Sequence, residues 1–557
     1  VTNFPSHLSE DFDALVELLR ARGVRDLQLD SRRVQPGDAF IAVPGLRHDG
    51  RAFIDAAVAR GARAVLVEAA GWTSRDVGVP VLPVSALARD LGALAAAWYG
   101  QPSNALLSVG VTGTNGKTSC SQWIAQALTL AGRRCGVIGT VGVGFPGELA
   151  AADLTTPDPV SLQRAVRALA ERGAQALAME VSSIGLDQGR VAGMKYDVAV
   201  FTNLTRDHLD YHGTMVAYGA AKARLFDWPT LRHAVLNLDD ALGRQIAHAL
   251  LARTRGPRVI GYTLDDAAES GLATRLAARA VRATAQGLAF TIESGVERAP
   301  VEVALVGQFN VANLLAVTGA LLAAGMTLGQ AAALLPRLAP PPGRMQRVGG
   351  ALERNEPLAV VDYAHTPDAL AQALATLRPV AQARGGRLWV VFGAGGDRDP
   401  GKRAPMGAAA AAADRIVVTS DNPRTEEPGA IVAMVAAGVP TGRSCERIVD
   451  RAQAIAQAIG QADARDVVLI AGKGHEDYQD VQGIKSHFSD VEQAQAALAR
   501  RTAGSQPLAP EGAPSRTAGE ALDRPVPPSG PAPREGGGDA LRAPAPGGAP
   551  SGVRPTC

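Results

Sequence analysis

The stretch "VGVTGTNGKTSC", residues 109–120, decides the fold. An apolar run passes into a loop bounded by Gly113 and Gly116, then into Lys117 and Thr118, where the helical pattern "SCSQWIAQALTLAG" (119–132) begins. Strand, loop and helix in this order make a phosphate cradle. Gly113, Thr114, Asn115 and Gly116 let backbone N–H groups face an anion. The helix start adds partial positive charge. Lys117 would stand at the outer phosphates of a nucleotide and Thr118 at a magnesium ion. The longer GxxxxGK[ST] spacing fails, because Val111 holds the place of its first glycine, so the loop is the shorter GTNGKT form. The plainer alternative is a Gly-rich turn capped by Thr118.

Outward from the loop the pattern repeats. "ALAMEV" (176–181), "DVAVFTNL" (197–204) and "HAVLNL" (233–238) read as buried strands. The pattern restarts after the proline cluster "LAPPPGRM" (338–345), with "PLAVVDYAHTP", "RLWVVFGAGG", "DRIVVTSDNP" and "DVVLIAGKGHE" each joining an apolar strand to a polar loop. A smaller unit before residue 104 carries "DAFIAVPG" and "ARAVLVE". Apolar strands alternating with helices predict an α/β fold with parallel sheets covered on both faces. Ligands in such sheets gather at the carboxyl ends of the strands, where every polar motif of this chain falls.

At 557 residues the chain is too long for one core, and about 150 residues per domain calls for several. The expected division is 1–103, 104–339, 340–500 and a tail, 501–557. That tail holds 12 prolines and 10 glycines, which leaves too few large apolar residues for a core, so disorder is expected. A net charge of +2 gives no field suited to nucleic acid. The four cysteines lack metal or CxxC spacing and read as reduced thiols. No signal-peptide pattern and no run of about 18 apolar residues is present, so the expectation is a cytoplasmic chain without membrane insertion.

A nucleotide site needs metal ligands. Glu180 ends one strand and His208 follows another, in "TNLTRDHLDYH". By themselves, His208 reads as a hydrogen-bonding loop residue and Lys222, in "YGAAKARLF", as a solvated lysine. "SDNPR" (420–424) sets Arg424 just past a strand end. Its guanidinium could grip a substrate carboxylate through two parallel hydrogen bonds, or could pair with Glu426 or Glu427.

Together, "GTNGKT" (113–118), "TTPDP" (155–159), "MEVSS" (179–183), "TNLTRDHLDYHG" (202–213), "YGAAKARLF" (218–226), "GQFNVANLLA" (307–316), "PGRMQ" (343–347), "DYAHTPDAL" (362–370), "GAGGDRD" (393–399), "SDNPR" and "AGKGHE" (471–476) resemble the Mur ligase family of peptidoglycan synthesis. The resemblance covers about residues 20 to 495. It implies a central P-loop ATPase domain between an N-terminal UDP-sugar-binding domain and a Rossmann-like C-terminal amino-acid domain. Within the family the chain looks most like the ligase that adds the third residue, meso-diaminopimelate or L-lysine, to UDP-N-acetylmuramoyl-L-alanyl-D-glutamate. ATP would activate the acceptor carboxylate as an acyl phosphate.

The resemblance also implies roles. Thr118, Glu180 and His208 would hold magnesium, and Lys222 would carry a CO2-derived carbamate that binds a second ion. Lys117, His208 and Lys222 would serve catalysis. Asn310, Arg344 and His365 would join the loop around ATP. Leu29, Ser31, Thr155, Thr156, Ser182, Gln188 and Arg190 would bind the nucleotide-sugar dipeptide. Arg398, Asp421, Asn422, Pro423, Arg424, Gly472 and Glu476 would bind diaminopimelate, which DNPR favours over lysine. Other enzymes of the same pathway are expected as partners.

Overall fold

The computed structural model of the chain describes residues 11–45, 48–152, 154–265, 272–284 and 286–504. From residue 505 the tail expected to be disordered lies outside the described residues. Its first four residues complete the helix Asp490–Gly504.

Strands built of Val, Ile, Leu and Ala over five or six consecutive positions are buried on both faces, as parallel sheets require. They form three main sheets. The N-terminal sheet has four parallel strands, in the order Leu27–Gln28, Ala39–Ala42, Ala64–Glu68, Val81–Val84. The central sheet has eleven. Its parallel core places Leu107–Thr112 between Ala176–Glu180 and Val198–Phe201. His233–Asn237 and Arg258–Thr263 continue it on one side and Cys135–Gly139 on the other. Antiparallel strands close both edges, among them Thr274–Ala283, Leu288–Ser294 and Glu297–Val303. The C-terminal sheet has six strands. Leu358–Asp362, Val467–Ala471, Leu388–Phe392, Arg415–Val418 and Cys445–Arg447 run parallel, and Gln346–Gly349 is antiparallel at the edge.

Register puts the site together. Val111 pairs with Glu180 on one side, and Thr112 pairs with Phe201 on the other. The phosphate loop, Glu180 and the "TNLT" segment therefore leave the sheet side by side. Behind them the helix Phe309–Ala323 is apolar almost all round and packs with Lys117–Leu130 in one core. Such a helix is stable only when covered on most sides.

Two joints tie the sheets together. Arg164, on the helix Pro159–Glu171, donates to Asp26 Oδ2 at 2.9 Å, to the Tyr99 hydroxyl at 3.0 Å and to the Leu27 carbonyl at 2.5 Å. This holds the end of the strand Leu27–Gln28, and so Leu29 and Ser31 beyond it, to the central sheet. At the other joint, Ala339 is pinned to the central helix. Its carbonyl accepts from Trp123 Nε1 at 2.8 Å, and its N–H donates to Gln126 Oε1 at 2.9 Å. Four residues later Gly343, at φ 65°, lies so close to Gly474 and His475 that a Cβ would collide with their backbone.

In the C-terminal sheet, Arg451 and Asp490 are both fully buried and form a two-bond ion pair, each bond 2.7 Å. Arg451 also donates to the carbonyls of Ser420 (3.2 Å) and Ala471 (3.0 Å), the residues just before the DNPR and GKGHE loops. Removing one partner leaves a buried charge alone, which costs roughly 3–5 kcal/mol. Arg451→Met should lower the denaturant midpoint of this domain accordingly. Arg451→Met with Asp490→Leu should recover most of the loss; a double variant no better than the single would show that the pair is not what holds this corner.

Candidate functional site

The phosphate loop leaves its strand with Gly113 at φ 146° and enters the helix Lys117–Leu130 through Gly116 at φ 84°. A Cβ at Gly113 would strike the Thr202 hydroxyl, and one at Gly116 would strike Asn313 Oδ1. No side chain caps this helix start, so its N–H groups face outward, as an anion site needs. Thr114 and Asn115 are braced by the neighbouring segment. Thr114 Oγ1 lies 3.1 Å from the Tyr218 hydroxyl, and the Asn115 N–H donates to Asn203 Oδ1 at 3.0 Å.

Two lysines meet at one carbonyl. Lys117 Nζ donates to the carbonyls of Gly113 and Thr114, both at 2.9 Å, and Lys222 Nζ donates to Gly113 at 2.7 Å. Lys222 is buried against the face of Tyr218. Burial first, and the charge of Lys117 second, push its pKa down to about 6. Burial likewise lowers Lys117. Near neutral pH, Lys222 is therefore an uncharged amine, the form that reacts with CO2.

Glu180 is buried between hydroxyls. Thr118 Oγ1 donates to its Oε1 at 3.0 Å, Thr140 N–H to the same oxygen at 2.8 Å, and Thr140 Oγ1 to Oε2 at 3.2 Å. A threonine hydroxyl beside a carboxylate is a hard oxygen set that suits magnesium. His208 stands apart from this pair. It is exposed, at φ 50°, with Nε2 3.5 Å from Asp207 and its ring edge-on to Tyr218. Among the described residues, no group of three or more His, Cys, Asp or Glu gathers as a metal cluster. Thr140 was not legible in the sequence, since it follows a glycine with no motif around it.

Asn310 is buried on the helix behind the loop. It donates to the Val306 carbonyl at 2.7 Å and accepts from Asn313 at 3.1 Å. Arg344 lies over the Tyr363 ring at 5.1 Å, with Nε buried and without a hydrogen-bond partner. His365 stacks edge-on to the same ring, and its Nδ1 lies 2.8 Å from the Tyr363 carbonyl.

The residues expected to bind the nucleotide-sugar dipeptide adjoin Glu180. Thr155 Oγ1 lies 3.0 Å from Thr140 Oγ1, and Thr156 donates to the Glu180 carbonyl at 3.0 Å. Ser182 caps the helix Ser183–Asp187. Arg190 donates to Gln188 Oε1 at 2.9 Å and to the Thr156 carbonyl at 3.0 Å, so Thr155, Thr156, Ser182, Gln188 and Arg190 form one patch. Leu29 and Ser31 follow the strand Leu27–Gln28 of the N-terminal sheet, and Ser31 opens a short 3-10 helix, so the structure does not bring them into this patch.

The loops expected to bind the amino acid meet at the carboxyl ends of three C-terminal strands. Arg424, at φ 51°, donates to the Gly396 carbonyl at 2.5 Å. The alternative of a pairing with Glu426 or Glu427 is not what the structure contains. Glu426 pairs with Arg403 at 2.7 Å, and Glu427 caps the helix Pro428–Ala436. Arg398 is exposed and flanks the same Gly395 that Arg424 approaches. Asn422 Nδ2 donates to Glu476 Oε2 at 2.8 Å, which brings DNPR and GKGHE together. Asp421 Oδ2 crosses the face of Gly472, at φ 122°, where a Cβ would collide with it.

Comparison with known proteins gives this arrangement a family. The profile of the Mur ligase middle domain matches residues 111–321, that of the Mur ligase glutamate ligase domain 343–474, and that of the Mur ligase family catalytic domain 24–99. The UDP-N-acetylmuramoyl-L-alanyl-D-glutamate--2,6-diaminopimelate ligase of Janthinobacterium sp. strain Marseille is 50% identical over 483 residues, 86% of this chain and 94% of the relative. The protein of the same name from Pseudomonas aeruginosa is 51% identical over 478 residues, 86% and 95% of the two chains. A solved structure of a ligase of that name superposes with a TM-score of 0.64 at 39% identity, covering 85% of this chain and 94% of the other. With half its residues shared over nearly the full length of such relatives, the chain belongs to the Mur ligase family.

Proposed function

We propose that the chain is an ATP-dependent ligase that joins meso-diaminopimelate to UDP-N-acetylmuramoyl-L-alanyl-D-glutamate, with the four segments 1–103, 104–339, 340–500 and 501–557 as its domains and tail. The observation that carries the choice of amino acid is Arg424. Its neighbouring glutamates are engaged elsewhere, so its guanidinium, which donates one bond to the Gly396 carbonyl, pairs with neither and is offered to a substrate carboxylate. Diaminopimelate has such a carboxylate on its far carbon and lysine does not.

A carboxylate is a poor electrophile, so ATP activates it. The D-glutamyl side-chain oxygen attacks the γ-phosphorus and ADP leaves; the amine then attacks the acyl carbon and phosphate leaves. Lys117, released from the loop carbonyls, would follow the transferred charge, and the uncapped helix start would hold the phosphates. Thr118 and Glu180 would hold one magnesium ion, with His208 joining once it leaves Asp207. A carbamate on Lys222 would hold another. When bound, magnesium neutralises charge on the phosphate oxygens. The orphaned Nε of Arg344 and the edge of His365 would meet the nucleotide, and Asn310 its base. Water would destroy the acyl phosphate, so enclosure by the C-terminal domain protects it. A cytoplasmic place agrees with these substrates. Among the described residues, no helix is long and apolar enough to cross a membrane.

Phosphate release from ATP, measured with the nucleotide-dipeptide and either diaminopimelate or L-lysine, tests the reaction. Release with diaminopimelate alone is expected; release with lysine alone would discard the role given to Arg424. Losing one member of a buried ion pair costs roughly 3–5 kcal/mol, on the order of 10²–10⁴ in discrimination. Arg424→Ala should therefore erase most of the preference for diaminopimelate, and an unchanged preference would refute the pocket. Lys222→Ala should be nearly inactive and partly restored by added short carboxylates, whereas full activity without them would rule out the carbamate.

The depressed pKa of Lys222 has a stability signature in CO2-free buffer. Between about 6 and the ordinary value of 10.5, the unfolded chain binds the proton that the folded chain refuses, so stability rises with pH across that window. Lys222→Met should gain on the parent enzyme near pH 7 and lose that advantage near pH 10. A pH-independent difference in denaturant midpoint would contradict a neutral amine.

A further inference from the structure

Lys473 belongs to none of the roles assigned so far. It lies between Gly472 and Gly474 just past the strand Val467–Ala471, and its side chain is 0% exposed. A buried ammonium needs partners on every side. Lys473 has three. Its Nζ donates to Asn422 Oδ1 at 3.1 Å and to Glu476 Oε2 at 3.3 Å, and it lies 5.3 Å from the centre of the Tyr478 ring.

These contacts fix how Asn422 is turned. Its Oδ1 accepts from Lys473 and from the Asp480 backbone N–H at 3.0 Å, which fills both lone pairs. Its Nδ2 donates one hydrogen to Glu476. A flipped amide would set NH2 against two donors and a carbonyl against a carboxylate, so this orientation is enforced. One N–H remains for a ligand, and Asn422 can only donate. The antiparallel hairpin of Tyr478–Val481 and Ile484–His487 supports the arrangement. The Arg424 N–H donates to the Asp480 carbonyl at 3.0 Å, and the Arg424 carbonyl accepts from the Gln482 N–H at 2.6 Å. Gln479 Nε2 donates to the Asp421 carbonyl at 2.7 Å.

We infer that Lys473 is a positioning residue for the amino-acid substrate: it locks Asn422 as a donor beside Arg424 and anchors Glu476 as an acceptor, so that the pocket reads a carboxylate next to an ammonium. This rests on the proposed ligase reaction. It extends that reaction to a residue that touches no substrate and acts through two side chains that do. The hairpin is the template that keeps the arrangement in register with the DNPR loop.

Lys473→Met keeps the length of the side chain and removes its charge and donors. The KM for diaminopimelate should rise roughly 10–100-fold, as for loss of a charge-assisted hydrogen bond, while the KM values for ATP and the nucleotide-dipeptide stay unchanged. Because Lys473 acts partly through Asn422, Lys473→Met combined with Asn422→Ala should raise the KM for diaminopimelate by less than the product of the two single effects. Additive losses, or an unmoved KM, would overturn the inference. If Lys473→Met does not fold, Asn422→Asp decides. Lys473 would pair with one oxygen of the new carboxylate and the other would face Glu476 and the substrate, so the KM for diaminopimelate should exceed that of Asn422→Ala. A variant with Asp as good as the parent enzyme would overturn it too. Turnover of diaminopimelate by the parent enzyme is measured alongside. Its absence would sink the ligase reading itself, which separates that failure from a failure of Lys473 alone.

Discussion

Two ammonium groups reaching for one carbonyl oxygen set the terms for the central domain. Lys117 and Lys222 both point at Gly113, and two full charges so close in a buried place repel each other. Burial lowers both, and on Lys222 the charge of Lys117 adds to it, which brings its pKa down to about 6. Lys117 stays half-buried at the mouth of the loop. The strand order makes this possible, because the loop emerges between Glu180 and the "TNLT" segment and cannot bring one without the other. The same register that buries apolar residues below thereby gathers opposite charges above.

The C-terminal domain solves a related problem differently. Its DNPR and GKGHE loops come from strands far apart in sequence, and they are held to each other by Arg451 below and by the hairpin above. Arg451 ties the last residues of two strands to Asp490, while Gln479, Asp480 and Gln482 bond the DNPR loop directly. A loop carrying Arg424 in the left-handed region is unfavourable by itself and persists because its surroundings determine it on both sides.

Much of this was legible in the sequence, and the physics says which parts. The strands read from "ALAMEV", "RLWVVF" and "DVVLIAG" end within a residue or two of the observed ones, since a run buried on both faces leaves little choice. The phosphate helix begins at Lys117, two residues before the apolar pattern, because a helix start is set by its loop. The antiparallel strands from Thr274 to Val303 were missed, since their half-exposed residues carry a weak alternation. Thr140, Asn313 and Lys473 were missed for another reason. Each acquires its meaning from a partner more than 35 positions away, and no local spacing records such a contact. Lys222 was readable only through family resemblance. Surrounded by alanines it looks solvated, and the fold buries it.

The two anchors at the second joint leave a short span between them. Ala339 is fastened to the central helix and Gly343 is pressed against Gly474, so Pro340, Pro341 and Pro342 span the gap, with the buried Pro341 accepting from the Arg344 N–H at 3.1 Å. Each proline has its φ locked by the ring, which leaves three ψ angles as soft torsions. Such a segment behaves as a stiff crank. Any swing of the C-terminal sheet would carry Arg344 and the GKGHE loop along as one piece.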